Sequence, residues 1–275
     1  MSREAEHQYR QFEHESWELA APHYADSFGT FTARFARPLL DAVGCSTGMR
    51  LLEVASGTGY ITRVATTLGA SAVGVDFSAA MISEATRRCP AATFLEADAE
   101  SLPFEAESFD AVVIGFGVHH FPSPQRAVSD ARRVLRIGGK LAFTVWSSSD
   151  NKLQQVQLDG MAEGGLRGSS LPMPPNGDIS SIEACMRLLS EAGFALELSS
   201  ARKVAIAIAI PSAQHLLEIT SRSTARGAAL IRAQPEEVMP AVVASIGKAM
   251  EPYASPDRKR YELPAVAILA VATRN

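Results

Sequence analysis

The feature that most constrains the fold of this chain is residues 51–60, which read Leu-Leu-Glu-Val-Ala-Ser-Gly-Thr-Gly-Tyr. An apolar run with one acid leads into a turn of small residues, and a helix-forming segment, residues 61–68, follows. This order predicts a buried strand that runs through a tight turn into a helix. Small residues let the backbone approach a ligand, and the start of a helix offers free N–H groups. The stretch therefore predicts a site for a nucleotide-like cofactor.

The glycine spacing in this stretch does not match the dinucleotide fingerprint G-x-G-x-x-G. From Gly57 the third glycine would fall on Thr62, and from Ala55 it would fall on Tyr60. An NAD-dependent oxidoreductase is therefore disfavoured. The pattern present is acid-x-small-x-Gly-x-Gly, formed by Glu53, Ala55, Gly57 and Gly59.

This pattern resembles motif I of the class I S-adenosylmethionine-dependent methyltransferases. Residues 98–104 resemble the family's segment D-A-E-x-L-P-F, and a later segment resembles V-L-K-P-G-G with Ile137 in place of the proline. Trp17 and Tyr24, with alanines between them, resemble the ubiquinone/menaquinone-biosynthesis branch of the family. The family more often has glycine at the position of Ala55, where alanine fits if its φ is negative. The resemblance implies S-adenosylmethionine as the cofactor.

The composition limits the classes of function. The 275 residues, 47% of them hydrophobic, suffice for one large domain or for a core with a cap. A net charge of -4 argues against a general affinity for nucleic acid or anionic membranes. The three cysteines are widely spaced and predict neither a disulfide framework nor a zinc site, and no other metal site is predicted. The polar start of the chain and its short apolar runs predict neither a signal peptide nor a membrane span, so a cytoplasmic protein is expected.

From residue 50 onward, strand and helix patterns alternate with short connections. This alternation predicts an α/β fold: a Rossmann-like, seven-stranded, mostly parallel sheet with helices on both faces. The family resemblance implies that a final antiparallel pair of strands closes the sheet. The predicted strands are residues 50–55, 71–75, 92–96, 109–115, 140–146, 194–210 and 263–273.

Residues 1–45 have a helical period that Pro22 is expected to interrupt. We predict an N-terminal helical lid over the cofactor, with Trp17, Tyr24 and Phe28 on its inner surface. Such aromatic faces can stabilise a sulfonium cation. The alternative is that these helices only pack on the core.

The remaining chain divides into two parts. Residues 46–150 are predicted to form the S-adenosylmethionine-binding core, and residues 151–275 to complete the sheet and carry a helical cap at about 212–258, inserted before the last strand. The cap, with residues 148–178, is expected to wall the acceptor pocket. Within these, residues 164–177 are rich in Gly, Ser and Pro and predict a long loop. The alternative is that the helices only pack on the outside of the core or form a surface between subunits, so a homo-oligomer is possible.

Two acids lie at the ends of predicted strands. Asp76 follows Gly57 by nineteen residues, near the spacing at which an acid meets ribose hydroxyls, and Phe77 can cover an adenine face. By resemblance, Asp98 accepts a hydrogen bond from the adenine amino group, and the backbone N–H of Ala99 faces the ring. The alternatives are a plain helix N-terminal acid for Asp76 and a turn cap for Asp98.

The loop after the fourth predicted strand reads Gly-Phe-Gly-Val-His-His-Phe-Pro. Its first carbonyls, at Gly115 and Phe116, could hold a methionine ammonium. His119 and His120 are candidate catalytic bases, since histidine titrates near neutral pH; the alternative is that they stabilise the loop. The predicted cofactor-binding residues are Tyr24, Glu53, Ala55, Gly57, Gly59, Asp76, Phe77, Met81, Asp98, Ala99, Gly115 and Phe116.

The sequence thus predicts methyl transfer from S-adenosylmethionine to carbon, oxygen or nitrogen of a small, largely apolar acceptor by in-line displacement. An Asn-Pro-Pro-Tyr motif is missing after the fourth strand, which argues against the amino-methyltransferases of DNA or protein glutamine. Two alternatives stay open. One is a cofactor-binding protein of the same fold that catalyses a step such as cyclisation, and the other is a non-catalytic nucleotide-binding module.

Overall fold

The fold is built on one seven-stranded sheet whose strand order is β3-β2-β1-β4-β5-β7-β6. The computed structural model describes residues 3–166, 171–174 and 177–275; residues 167–170 and 175–176 of the predicted loop lie outside the described residues, as do residues 1–2 of the polar start. Strands β1 to β5 pair in parallel, and β7 pairs antiparallel with both β5 and β6. The predicted mostly parallel sheet is therefore confirmed. The strands are β1 (Arg50–Val54), β2 (Ser71–Asp76), β3 (Thr93–Glu96), β4 (Phe109–Gly115), β5 (Leu135–Trp146), β6 (Ser199–Ile210) and β7 (Tyr261–Thr273).

Helices cover both faces of this sheet. Along β1 the side chains alternate, so that Leu51 belongs to the core cluster of Leu40 on one face and Leu52 to the cluster of Val128 and Leu188 on the other. Both faces are buried, as a parallel sheet requires. The helices are α1 (Arg3–Tyr24), α2 (Gly29–Thr32), α3 (Ala36–Val43), α4 (Tyr60–Thr67), α5 (Ala79–Arg88), α6 (Pro124–Val134), α7 (Lys152–Glu163), α8 (Ile182–Glu191), α9 (Ala213–Ser223), α10 (Ala225–Arg232) and α11 (Met239–Met250).

The first helix is longer than predicted, because Pro22 does not interrupt it and α1 continues to Tyr24. The proline lies in the last turn. There it removes one backbone hydrogen bond while the rest of the helix stays intact. This continuity lets one helix face run along the sheet edge from Tyr9 to Tyr24.

Two strand predictions miss their starting points by five residues. Strand β5 begins at Leu135 rather than at residue 140, because its pairing with β4 resumes across an irregularity between Phe109 and Ala111. Strand β6 begins at Ser199 rather than at residue 194, since Leu196–Leu198 form a turn of 3-10 helix. Sequence periodicity shows where a strand lies more accurately than it shows where the strand begins and ends, because local turns compete with strand pairing at the ends.

The predicted helical insertion before the last strand is present as α9, α10 and α11, between β6 and β7. It packs on α7 through two glycines one turn apart. A Cβ built on Gly160 would lie 2.7 Å from Cα of Ile246, and one on Gly164 would lie 2.4 Å from Cα of Val242. Only glycine allows the two helix backbones to approach so closely. Within the described parts of the chain, no helix is long and apolar enough to cross a membrane.

We expect Gly160→Ala and Gly247→Ala to change stability in opposite directions. The first forces α7 away from α11 and should lower the free energy of unfolding by about 1–2 kcal/mol, after the gain in helix propensity is counted. The second adds a methyl whose nearest neighbour is 3.7 Å away in Ala213, and should raise it by about 0.5–1 kcal/mol. Urea titration of the three proteins measures both values. An unchanged Gly160→Ala protein would contradict the close packing.

Candidate functional site

A cavity of about 400 Å³ lies at the carboxyl ends of β1, β2 and β4 and is closed by α1. This is the point where the strand order reverses on either side of β1, the usual ligand site of an open parallel sheet. Its volume is typical of a small-molecule site. Every predicted cofactor residue except Gly59 lines it: Tyr24, Glu53, Ala55, Gly57, Asp76, Phe77, Met81, Asp98, Ala99, Gly115 and Phe116.

Glu53 ties the end of β1 to the first turn of α4. The backbone N–H and the hydroxyl of Thr62 both donate to its Oε2, at 2.7 and 2.5 Å. The carboxyl is buried, and burial raises its pKa to about 8 although the Thr62 bonds act in the opposite direction. A buried acid at the cavity wall favours a cationic ligand, because a nearby positive charge would stabilise the ionised form.

The turn between β1 and α4 takes a conformation that differs from the one expected for Ala55. Its φ is 55°, so the condition of a negative φ is not met, and alanine is held in the left-handed region at a cost of about 1 kcal/mol. Gly57 and Gly59 also have positive φ, of 50° and 77°. Gly59 faces away from the cavity, where a Cβ would lie 2.6 Å from Cζ of Phe94. It is therefore required by packing rather than by contact with a ligand.

Asp76 is hydrogen-bonded to the loop after β1 and to the loop after β2. Its Oδ2 accepts from the backbone N–H of Gly57 at 2.8 Å, and its Oδ1 accepts from that of Ser78 at 3.0 Å. Burial raises its pKa to about 6, although these backbone bonds lower it. Each carboxylate oxygen has a further lone pair, so the group can still accept from two hydroxyls. Phe77 and Met81 follow it along the cavity wall.

Asp98 is paired with a residue that sequence reasoning missed. Arg10, on α1, lines the cavity, and its Nη1 lies 2.5 Å from Oδ2 of Asp98 while its Nη2 lies 3.0 Å from Glu100. Asp98 also accepts from the backbone N–H of Glu100 at 2.9 Å, as the turn-cap alternative expects. No short-range signal could have found Arg10, because 88 residues separate it from Asp98.

The structure separates the two adjacent histidines. His120 lines the cavity, whereas His119 does not. The backbone carbonyl of His119 accepts from the hydroxyl of buried Tyr9 at 3.2 Å, and its ring Nδ1 is buried without a hydrogen-bond partner among the described residues. Burial, followed by the charge of His120, holds the pKa of His119 well below its usual value. His119 is thus placed to support the loop, as the alternative interpretation expected.

His120 meets a buried acid of α1 that was also missed. Its Nδ1 lies 2.9 Å from Oε2 of Glu13, and the indole N–H of Trp17 donates to the same oxygen at 3.0 Å. The rings of Trp17 and His120 are 5.0 Å apart in an edge-to-face arrangement. A helical period at Glu13, Trp17 and Tyr24 could have shown that these residues share a face, but not which loop they meet.

Aromatic side chains separate the cavity from the helices α9 to α11. Phe116, with a φ of 58°, stacks on Trp146 with ring centres 4.1 Å apart, and Phe35 contacts both rings. Of the residues that the structure describes, none beyond Pro122 lines the cavity. The described residues of 148–178 and 212–258 therefore do not line this cavity, and their role as the wall of an acceptor pocket stays a prediction.

The residues present fit S-adenosylmethionine. Carboxylates at Asp76 and Asp98 are suited to a ribose and an adenine amino group, and the apolar Phe77 also lines the cavity. A Cβ on Gly57 would meet nothing closer than 3.9 Å, so the backbone there borders open space. The hydroxyl of Ser56, beside it, is buried and has no partner among the described residues. A polar ligand would satisfy this group.

The raised pKa of Glu53 predicts a pH dependence of stability. A neutral Glu53 favours the folded state, so its contribution is present below about pH 4.5 and is lost as the pH rises toward 8. We expect Glu53→Gln, which keeps an acceptor for Thr62, to lie within about 1 kcal/mol of the wild type at pH 5 and to be more stable by about 3–4 kcal/mol at pH 8. Urea titrations across this range test it, with exposed Glu237→Gln as the control. Parallel curves for the wild type and Glu53→Gln would show that Glu53 is ionised in the folded protein.

Comparisons with known proteins agree with this geometry. Residues 52–143 match the family described as "Methyltransferase domain". The chain is 40% identical over 116 residues to a demethylmenaquinone methyltransferase of Renibacterium salmoninarum, covering 42% of this chain and 49% of that protein. It is also 40% identical over 115 residues to the ubiquinone/menaquinone biosynthesis C-methyltransferase UbiE of Rhizobium etli, covering 38% and 45%. The chain therefore spans about half the length of the curated relatives it matches.

A solved structure extends the likeness to most of the chain. The YcgJ protein of Bacillus subtilis superposes with a TM-score of 0.58 at 17% identity, over 88% of this chain and 98% of that one. At this identity the match concerns the fold alone. It agrees with the observed sheet and helices, and the match to the family model covers β1, β2 and β4, the strands that end at the cavity. The resemblance seen in the motifs agrees with these findings: residues 52–143 are similar to the methyltransferase domain family, and the chain is similar over about 115 residues to methyltransferases of ubiquinone and menaquinone biosynthesis.

Proposed function

We propose that this protein transfers a methyl group from S-adenosylmethionine to a small, largely apolar acceptor, on carbon, oxygen or nitrogen. One observation carries the proposal. The predicted cofactor residues, Gly59 excepted, surround a single cavity at the switch point of a sheet that is built on a methyltransferase domain.

The cofactor would lie along the ends of the three strands. Asp76 would accept from the ribose hydroxyls, Asp98 from the adenine amino group, and Phe77 would cover the ring. Glu53 and the backbone at Gly57 would meet the methionine end. Met81 and Ala99 would border the adenine, while the carbonyls of Gly115 and Phe116 would accept from the ammonium.

When bound, S-adenosylmethionine supplies an electrophilic methyl group. The chain contributes mainly by positioning, which can lower a barrier by about 7–11 kcal/mol in ideal systems. Trp17 and Tyr24 pack edge to face, 5.6 Å apart, on the cavity side of α1, where they can stabilise a cation and exclude water. Tyr24 is also held by Thr32, whose Oγ1 lies 3.1 Å from its hydroxyl, and burial raises its pKa to about 12.

The acceptor is proposed to be apolar on two grounds. The relatives are named for methylation of demethylmenaquinone and for ubiquinone and menaquinone biosynthesis, whose quinone rings are apolar. The wall between α1 and the loop after β4 is aromatic, formed by Trp17, Tyr24, Phe116 and Phe121. Together with the acidic net charge, this wall favours a small-molecule acceptor over nucleic acid. A cytoplasmic location accords with these features and is part of the proposal.

The three parts of the chain take distinct roles in this proposal. Residues 1–45 act as a lid, since α1 closes the cavity with Arg10, Trp17 and Tyr24. Residues 46–150 bind the cofactor. Residues 151–275 complete the sheet, and their helices support the aromatic layer at Trp146 from behind.

Calorimetric titration with S-adenosylmethionine, S-adenosylhomocysteine and NAD tests the cofactor site. We expect micromolar binding of the two sulfur compounds and none of NAD. Asp76→Ala should weaken binding about tenfold or more, the effect of losing a charged hydrogen bond of about 1.4 kcal/mol. Asp41→Ala, which removes an exposed acid paired with Arg37, is the matched control and should bind normally.

A thermal melt of each variant establishes that it is folded before titration. Folded protein, freed of carried-over ligand, that binds neither sulfur compound would contradict the proposal. Binding without methyl turnover on any apolar acceptor would favour a cofactor-binding protein with another chemistry.

A further inference from the structure

A buried carboxylate lies behind the cavity wall, at a position that the cofactor site does not explain. Glu13 is on α1, is only 3% exposed, and directs its Oε2 at Nδ1 of His120. It contributes nothing to the cavity lining itself. A buried acid is costly unless it is hydrogen-bonded to partners that favour its charge.

The hydrogen-bond roles in this cluster follow from its donors. The indole N–H of Trp17 can only donate, so Oε2 of Glu13 acts as the acceptor. The same oxygen lies 2.9 Å from Nδ1 of His120, which therefore carries the hydrogen of that bond. A neutral imidazole with a hydrogen on Nδ1 has its free lone pair on Nε2.

The free nitrogen is available to a bound molecule. Among the described residues Nε2 of His120 has no hydrogen-bond partner, and the atom is not buried out of reach of solvent. The ring lines the cavity beside Phe116, Gly117 and Phe121. His120 is thus a base with its second nitrogen oriented by an acid, the arrangement that suits general-base catalysis.

We propose that Glu13 is a positioning residue that sets His120 as the base for a phenolic or enolic hydroxyl on the acceptor. This inference rests on the proposed function and adds to it the class of acceptor. An amine acceptor would need no such base, because an amine can lose its proton after transfer. A hydroxyl is a poor nucleophile until its proton is removed.

The hydroxyl proton passes to Nε2 of His120, and the imidazolium is stabilised by the Glu13 carboxylate. The electron pair of the oxyanion forms the bond to the methyl carbon, and the carbon–sulfur bond breaks with its pair left on sulfur. If a ring carbon conjugated to the oxyanion attacks instead, the hydroxyl proton must first pass to His120 in the same way. The methylated ring carbon then loses its own proton, and the oxygen regains one. His120 then returns its proton to water.

The first test uses the ligand-free protein and does not depend on turnover. Nitrogen-15 NMR of the histidine rings reports which nitrogen carries the hydrogen, and His120→Gln identifies the signals by their loss. We expect His120 to carry it on Nδ1 at pH 8 in the wild type and in Glu15→Gln, an exposed acid on the same helix. Glu13→Gln, which has the same shape without the charge, should lose this preference. A hydrogen on Nε2 in the wild type, or no change in Glu13→Gln, would overturn the proposal.

The second test measures methyl turnover. It uses 1-naphthol and 1-naphthylamine, which have the same ring system and differ in the acceptor atom, together with the best acceptor from a screen of hydroxyl compounds. We expect turnover of hydroxyl acceptors, with kcat about 100-fold lower in His120→Gln and about tenfold lower in Glu13→Gln. The KM for S-adenosylmethionine should stay unchanged. If the contact between Glu13 and His120 only holds α1 over the cavity, the variants should change the KM for S-adenosylmethionine and leave kcat unaltered. That result would overturn the proposal. Equal turnover by the wild type and His120→Gln would also overturn it.

The two proposals fail in different ways. If the wild type binds no S-adenosylmethionine, the methyltransferase function fails, while the NMR result still decides whether Glu13 orients His120. If the wild type methylates amines and no hydroxyl compound, the methyltransferase function stands, and the assignment of a hydroxyl acceptor is wrong.

Discussion

The structure depends on the parallel pairing of β1 with strands on both of its sides. Residues of β1 from Leu51 to Glu53 are in register with β2 and with β4 at the same time. Because parallel strands end at one edge, the loops that leave them must diverge to opposite faces at β1. The gap between these loops is the cavity. The positions of Glu53, Asp76 and Phe116 around it follow from this pairing and not from contacts among the three residues.

Folding alone would not favour several of the groups that border this gap. Two carboxyls, Glu53 and Asp76, are buried with raised pKa values, and two residues other than glycine, Ala55 and Phe116, have positive φ. Each feature is unfavourable by an amount comparable to one hydrogen bond, and all four lie at one cavity. Strain and buried acids that coincide in this way are typical of functional sites.

The helix α1 closes the cavity with a polar inner face, which is unusual for a helix buried against a core. Arg10 pairs with Asp98, Glu13 with His120, and Glu18 accepts from the hydroxyl of Ser78 at the start of α5. These contacts connect the helix to the loops after β2, β3 and β4 at once. A ligand that changes any of these partners also changes how firmly the helix is held, so binding and closure are coupled in energy.

The sequence by itself determined the order of strands and helices, the turn at Gly57 and the acids at the strand ends. These follow from local patterns, since periodicity and turn chemistry act over a few residues. Only the tertiary structure decided that Arg10 meets Asp98, that Glu13 meets His120, and that the helices before β7 lie behind an aromatic layer at Trp146 and do not wall the cavity. A helical period tells which residues share a face, but the surface against which that face packs is set by the whole fold. Ala55 shows this limit most clearly. The sequence gives the residue type but not the sign of its φ, because the surrounding loops determine the conformation of the turn.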